Sequence, residues 1–219
     1  MGSNGNNSTA MRIRVKFAKT EPMRFTSHLD LYRAWERLLR RADVPLVFSQ
    51  GYNPRPRIQL AAPLPLGITS NCEIIDIWMS DSQSNLQTLR TRIIQVQPPG
   101  IEVCEVEYID PNFPPLQKKV HAAEYSVILL EPSPNLDHKI DTLLKSETIL
   151  RQRRGKSYDL RPLIKELAIS TESEINSNQI CMLLNAREGG TGRPEEVLLA
   201  LDIQPENARI ERTGLIIQD

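Results

Sequence analysis

The sequence predicts an α+β fold of two tandem ferredoxin-like (split βαβ) domains, each an antiparallel sheet with two helices on one face. Three observations carry that prediction. Apolar spacing switches between period 2 and period 3.6 in the order strand, helix, strand, strand, helix, strand. The same order returns in the second half without a residue-level repeat, so the duplication is one of topology. Between the halves lies DPNFPPL, Asp110 to Leu116, whose three prolines mark a boundary. The organisation expected is a flexible leader or linker over 1–10, a first domain over 11–110, a linker over 111–120 and a second domain over 121–219.

Taken in order, Arg12 to Lys19 alternates, with Ile13, Val15 and Phe17 on one face and Arg12, Arg14 and Lys16 on the other. That is a half-buried strand with a basic outer face. Ser27-His28-Leu29-Asp30 has the form of a capping box, so a helix starts there. Its apolar residues fall at 31, 34, 35, 38, 39 and 42, and Arg33, Arg37, Arg40 and Arg41 fall opposite. Val47-Phe48 and Arg57 to Ala62 read as short edge strands around a tight connection, because the prolines among them cannot donate to a ladder. Asn71 to Met79 reads as a strand, Asn85 to Ile94 as a helix stopped by Pro98-Pro99-Gly100, and Ile101 to Ile109 as a strand.

In the second half, Glu124 to Leu130 reads as a strand, Asn135 to Lys145 as a helix, and Ile149 to Leu163 as a basic stretch that includes a strand. Gln179 to Asn185 is strand-like. The glycine turn at 189–192 leads into a helix over Arg193 to Leu201 with Pro194 in its first turn, and Arg209 to Ile217 closes as a strand.

Composition bounds function less tightly. Of 219 residues, 40% are hydrophobic and 25% charged, which excludes disorder as the default, and no apolar run approaches the length of a membrane span. MGSNGNNSTA is a leader, a linker from a longer parent chain or a cloning scar, and not a signal peptide. Cys72, Cys104 and Cys181 are odd in number, far apart and set in apolar sequence, which reads as reduced core thiols of a cytoplasmic protein. The net charge is zero but polarised: +7 over 11–67, −5 over 68–117, +4 over 118–165 and −6 over 166–219. Such asymmetry fits a basic face for an anionic partner, or two signs paired across the fold.

Two basic clusters are candidate nucleic-acid contacts. The first joins Arg33, Arg37, Arg40 and Arg41 to Tyr52, Asn53, Arg55 and Arg57, which supply a ring to stack, an amide to read a polar edge and guanidinium groups for phosphate. The second is Arg151, Arg153, Arg154, Lys156 and Arg161. Solvated helix faces and stiff turns have the same composition. His28, at a helix start among basic residues, is a weak candidate for a general base; a local capping role is the stronger reading, because the sequence places no second titrating partner for it. Gly189 to Arg193 lacks the spacing of phosphate-cradling motifs and reads as a turn. Nothing points to a cofactor, a metal or a catalytic constellation.

FTSHLDL, SQGYNPRPRI, APLPLG, KSYDLRPLI and GRPEEVL together resemble the radical-SAM-linked family of uncharacterised bacterial proteins. The resemblance implies a domain fused to, or encoded beside, a cobalamin-binding radical SAM protein, with the leader as a linker from such a fusion. The chain has no CxxxCxxC, so any cluster belongs to the partner. The expected architecture is also similar to that of CRISPR repeat-processing endoribonucleases. Three functions follow as expectations: an RNA-binding or substrate-presenting module with a basic surface, a docking domain for a radical SAM enzyme in cis or in trans, and a metal-independent endoribonuclease using His28.

Overall fold

The computed structural model describes residues 10–80, 85–153, 155–170, 178–187 and 189–218. Arg154 and residues 1–9 of the expected leader lie outside them. The chain is of mixed α+β type, its strands mostly antiparallel, and it forms two compact units. The first holds residues up to 66 together with 72–117; the second holds 67–71 and 118–219.

The first unit contains β1 (Met11–Lys19), α1 (His28–Arg41), β2 (Ile58–Leu60), most of β3 (Thr69–Met79), α2 (Leu86–Val96) and β4 (Ile101–Ile109). Its strands lie in the order β2, β3, β1, β4, with β2 antiparallel to β3 and β4 antiparallel to β1. Ile13, Val15 and Phe17 of β1 pack with Leu31, Trp35 and Leu38 of α1, Ile75 and Ile77 of β3, and Leu89 and Ile93 of α2. Phe17 and Trp35 meet edge to face at 4.8 Å. The expected Val47-Phe48 strand reduces to isolated bridges, Leu46 to Met79 and Phe48 to Pro56, because the prolines leave no ladder to extend.

The basic outer face expected of β1 is not there. The alternation exists, but both faces are covered: Arg12 and Arg14 are buried, and only Lys16 stays outside, 2.8 Å from Glu105. Arg12 donates to Asp76 Oδ2 from Nε at 3.1 Å and Nη2 at 2.5 Å, and to the carbonyls of Phe113 and Pro114. Arg14 donates to the same carboxylate at 2.8 and 3.1 Å. Residues 110–117, proline-rich and read from sequence as a boundary, thus close over two buried guanidinium groups in this unit.

The second unit contains the end of α3 (Leu116–Lys119), β5 (Val120–Leu129), α4 (Leu136–Lys145), β6 (Leu150–Arg153), β7 (Lys156–Asp159), β8 (Ile164–Ile169), β9 (Gln179–Arg187), β10 (Gly190–Thr191), α5 (Pro194–Ala200) and β11 (Ala208–Ile217). The order β8, β9, β5, β11 is antiparallel throughout. Thr69 and Ser70 run parallel beside Glu211 and Arg212 of β11. The strand expected within 149–163 is the hairpin β6–β7, and β8, the sheet strand that follows it, was not expected.

The cysteine expectation also needs correcting. Cys104 and Cys181 are exposed and Cys72 is half-buried. The period-2 alternation that turns Ile101 and Val103, or Ile180 and Met182, inward turns Cys104 and Cys181 outward. No helix among the described residues is long and apolar enough to cross a membrane.

Candidate nucleic-acid interface

Helix α1 forms where the capping box predicts. Ser27 Oγ accepts from the Asp30 amide at 3.2 Å and donates to the Asp30 carboxylate at 2.6 Å. Leu31, Ala34, Trp35, Leu38 and Leu39 are buried, so Leu29, Arg33, Arg37 and Arg40 project from the opposite side. Arg33 holds Asp30 at 3.4 Å in a pair more than half exposed, which is worth about 0.5 kcal/mol at most. Arg41 turns to the α2 end and donates to the Val96 carbonyl at 3.0 Å. Arg37 and Arg40 have no hydrogen-bond or ion-pair partner among the described residues.

His28, Tyr32 and Glu36, spaced four apart, form the helix stripe between that outer row and the core. All three are half-buried. Tyr32 donates its hydroxyl to the Pro56 carbonyl at 3.1 Å, which ties the loop over 48–57 to this stripe. Burial first, then the Glu36 charge, raises the Tyr32 phenol above its ordinary value, while Arg55 opposes. The phenol therefore stays protonated and serves as a donor.

The loop is closed on itself. Ser49 N donates to the Arg55 carbonyl at 2.9 Å, Arg55 N to Ser49 Oγ at 3.0 Å, and Arg57 N to the Val47 carbonyl at 2.7 Å. Gly51 sits at φ +136°, a conformation closed to other residues. At the tip Tyr52 is fully exposed and packs on nothing. Asn53 and Arg55 are exposed beside it, and Arg57 lies over the Trp78 ring at 4.5 Å. Of the first predicted cluster, Tyr52, Asn53 and Arg55 lie exposed on one loop and Arg33, Arg37 and Arg40 on the outer face of α1, both in the first unit, while Arg41 turns to the Val96 carbonyl and Arg57 to the Trp78 ring.

The second cluster divides. Lys156 is exposed, Arg153 half-buried, and Arg151 holds Glu196 at 3.2 Å. Arg161 faces inward: it donates to the Leu144 carbonyl at 3.1 and 2.9 Å and to the Ile164 carbonyl at 3.3 Å. It caps the carbonyl end of α4, which takes its charge out of any surface.

Sequence reasoning missed two groups. One is the stack in which Arg12 lies between the rings of Trp78, at 4.6 Å, and Phe113, at 5.6 Å, with Arg57 on the Trp78 ring as well. The other is Arg193 with Glu195, whose Nε and Oε2 are buried with no partner among the described residues. The first lay in segments read as a strand face and a boundary, and its rings come from residues distant in sequence; the second lay at the start of a predicted helix, where nothing in the spacing marks the burial of Arg193 and Glu195.

A family described as "Uncharacterized protein conserved in bacteria (DUF2344)" matches residues 12–194. The chain belongs to that family. The match takes in α1, the 48–57 loop and the β6–β7 hairpin of this family member. No curated protein matches the sequence. Among solved structures, the chain is similar to one from a Cbf5-Nop10-Gar1 complex, with 11% identity over 94% of this chain and 50% of that one, at a TM-score of 0.46. It is also similar to one from an H/ACA RNP bound to a substrate RNA containing 2'-deoxyuridine, with 11% identity over 95% and 49%, at a TM-score of 0.43. The chain spans about half the length of each of these two. A third similarity is to the acetolactate synthase small subunit from Thermotoga maritima, with 13% identity over 95% and 96% and a TM-score of 0.28.

Proposed function

We propose that this protein is an RNA-binding or substrate-presenting module of two ferredoxin-like domains that works beside a radical SAM enzyme. The domain reading is supported by the strand orders β2, β3, β1, β4 and β8, β9, β5, β11, each with one helix after its first strand and one after its third. The observation that carries the RNA reading is the fully exposed Tyr52 ring, on a loop that the Tyr32 to Pro56 hydrogen bond ties to α1, the helix whose outer face carries Arg37 and Arg40. A ring that packs on nothing in the protein is ready to stack on a base, and single-stranded RNA offers splayed bases with phosphates between them.

Binding of single-stranded RNA and of a DNA duplex at about 50 and 200 mM salt tests this. Four contacts, from Arg37, Arg40, Arg55 and Arg57, give a salt slope near −3 on a single strand, so that change weakens binding about 50-fold. Tyr52→Ala costs a further factor of roughly 10 to 100. Arg37→Glu with Arg40→Glu flattens the slope. No binding at the lower salt, or variants that bind like the wild type, would end the reading.

A second reading is docking on a protein partner, a radical SAM enzyme in cis or in trans. Phe25, Leu29 and Phe48, 75%, 52% and 42% exposed in the same unit, favour it. In that case RNA binding is absent, and mixing with the enzyme shifts elution. RNA cleavage that disappears in His28→Ala would instead assign a nuclease role to that residue.

A further inference from the structure

The sheet of the first unit has two faces, and α1 and α2 cover one of them, packing on Ile13, Val15, Phe17, Ile75 and Ile77. Alternation turns Arg12, Arg14, Asp76 and Trp78 to the other. Arg57 joins them there, at the entry to the edge strand β2. Its N donates to the Val47 carbonyl at 2.7 Å and its carbonyl accepts from the Trp78 amide at 3.0 Å, so the backbone sets Arg57 beside Trp78. The Arg57 guanidinium lies over the Trp78 ring at 4.5 Å, and Arg12 lies over the same ring at 4.6 Å.

Asp76, Glu105 and Glu107 share this face, but they serve the cations of β1. Asp76 accepts from Arg12 and Arg14, Glu105 holds Lys16 at 2.8 Å, and Glu107 stands opposite Arg14 in the β1–β4 register. The Arg57 guanidinium forms no hydrogen bond or ion pair among the described residues. It is exposed, whereas Trp78 keeps only 7% of its surface. The ring therefore has little surface of its own to offer a ligand; what it does is hold the guanidinium, whose N–H donors stay open to an anion. A planar guanidinium held on a ring loses less freedom on meeting a phosphate than one moving in water.

We propose that the RNA-binding surface continues from α1 across the β2 edge onto this second face of the sheet, where Arg57 contacts a phosphate and Trp78 is its positioning residue. The Tyr52 loop joins the two surfaces: Tyr32 of α1 donates to its Pro56 carbonyl, and Arg57 fixes its end against Trp78. A single strand is flexible enough to turn over such an edge, while a duplex is stiff over that distance. The inference rests on the RNA reading and extends it to residues that lie away from α1.

Binding of single-stranded RNA to the full chain at about 50 and 200 mM salt tests it, with Arg57→Ala, Trp78→Leu, Trp78→Phe and the double variant Arg57→Ala, Trp78→Leu beside the wild type. Arg57→Ala should flatten the salt slope by about 0.7, the loss of one phosphate contact on a single strand. Trp78→Leu should weaken binding about threefold, and Trp78→Phe, which keeps a ring face for the cation, should retain most of the affinity. In the Arg57→Ala background Trp78→Leu should cost nothing further, because it acts only through that guanidinium. Saturating RNA should also change the tryptophan emission of the wild type and not that of Arg57→Ala, since Trp35 is buried on the other face; this measurement does not depend on Trp78→Leu folding. The proposal is overturned if Arg57→Ala keeps the wild-type affinity and slope, or if Trp78→Leu weakens binding by the same factor with and without Arg57, which would make its role structural. A wild type that binds no RNA overturns the RNA reading and this proposal together, whereas RNA binding that Arg57→Ala leaves unchanged overturns this proposal alone.

Discussion

Replacing Asp76 with asparagine removes the carboxylate to which both Arg12 and Arg14 donate, at a position with no solvent exposure. Four charge-assisted contacts converge on it, between 2.5 and 3.1 Å. An amide oxygen can accept some of them but cannot balance two guanidinium charges. Breaking a buried ion pair on one side costs about 3–5 kcal/mol, and with two cations stranded the upper part of that range applies. Against a typical total of about 5–15 kcal/mol, this is a large share. Both tryptophans, Trp35 and Trp78, lie in the first unit, so their fluorescence during urea unfolding reports that unit alone. With a urea dependence of about 2 kcal/mol per molar, the midpoint should fall by about 2 M. The triple variant Arg12→Met, Arg14→Met, Asp76→Leu should recover most of the loss, because it removes the charges along with their partner. A fall of less than about 0.5 M in Asp76→Asn would refute the reasoning, since the arginines would then be satisfied by their carbonyl and ring contacts.

Three further outcomes are expected. Gly100→Ala should cost about 2 kcal/mol or more, read from the same fluorescence transition, because Gly100 sits at φ +94° and a Cβ there would lie 2.8 Å from the Met23 amide nitrogen. Ser27→Ala should lower the melting free energy by about 1 kcal/mol through loss of the α1 cap. Glu195 has a carboxyl raised by burial, with Arg193 opposing, so the folded chain holds its proton over a pH window in which the unfolded chain has released it. Stability therefore falls as pH rises through that window, and Glu195→Gln should abolish the fall and be the more stable form at about pH 7, checked by melting at about pH 4 and 7.

The local elements were legible because their causes are local. The capping box at 27–30, the 3.6 spacing through Ala42 and the alternation of 101–109 each lie within a dozen or so residues, and α1 and β4 form there. The Tyr52 loop was legible for the same reason, since Pro54 and Pro56 stiffen it from within and Gly51 supplies its positive-φ position. Strand β8 was not, because a register shift between Ile164 and Glu166 breaks the period that would have announced it.

What only the tertiary structure decided is which faces are covered. Alternation shows that Arg12 and Arg14 share a face, but nothing near them in sequence shows that residues 110–117 close over that face or that Asp76, 62 to 64 positions away, stands beneath it. The same holds for Arg161, whose partners are the carbonyls of Leu144 and Ile164, and for Arg193, which shares the neighbourhood of Arg153. A charged residue's role depends on its neighbours in space, and those are set by the strand order. Sequence period reads the local geometry of each strand; it does not read which strand lies beside it.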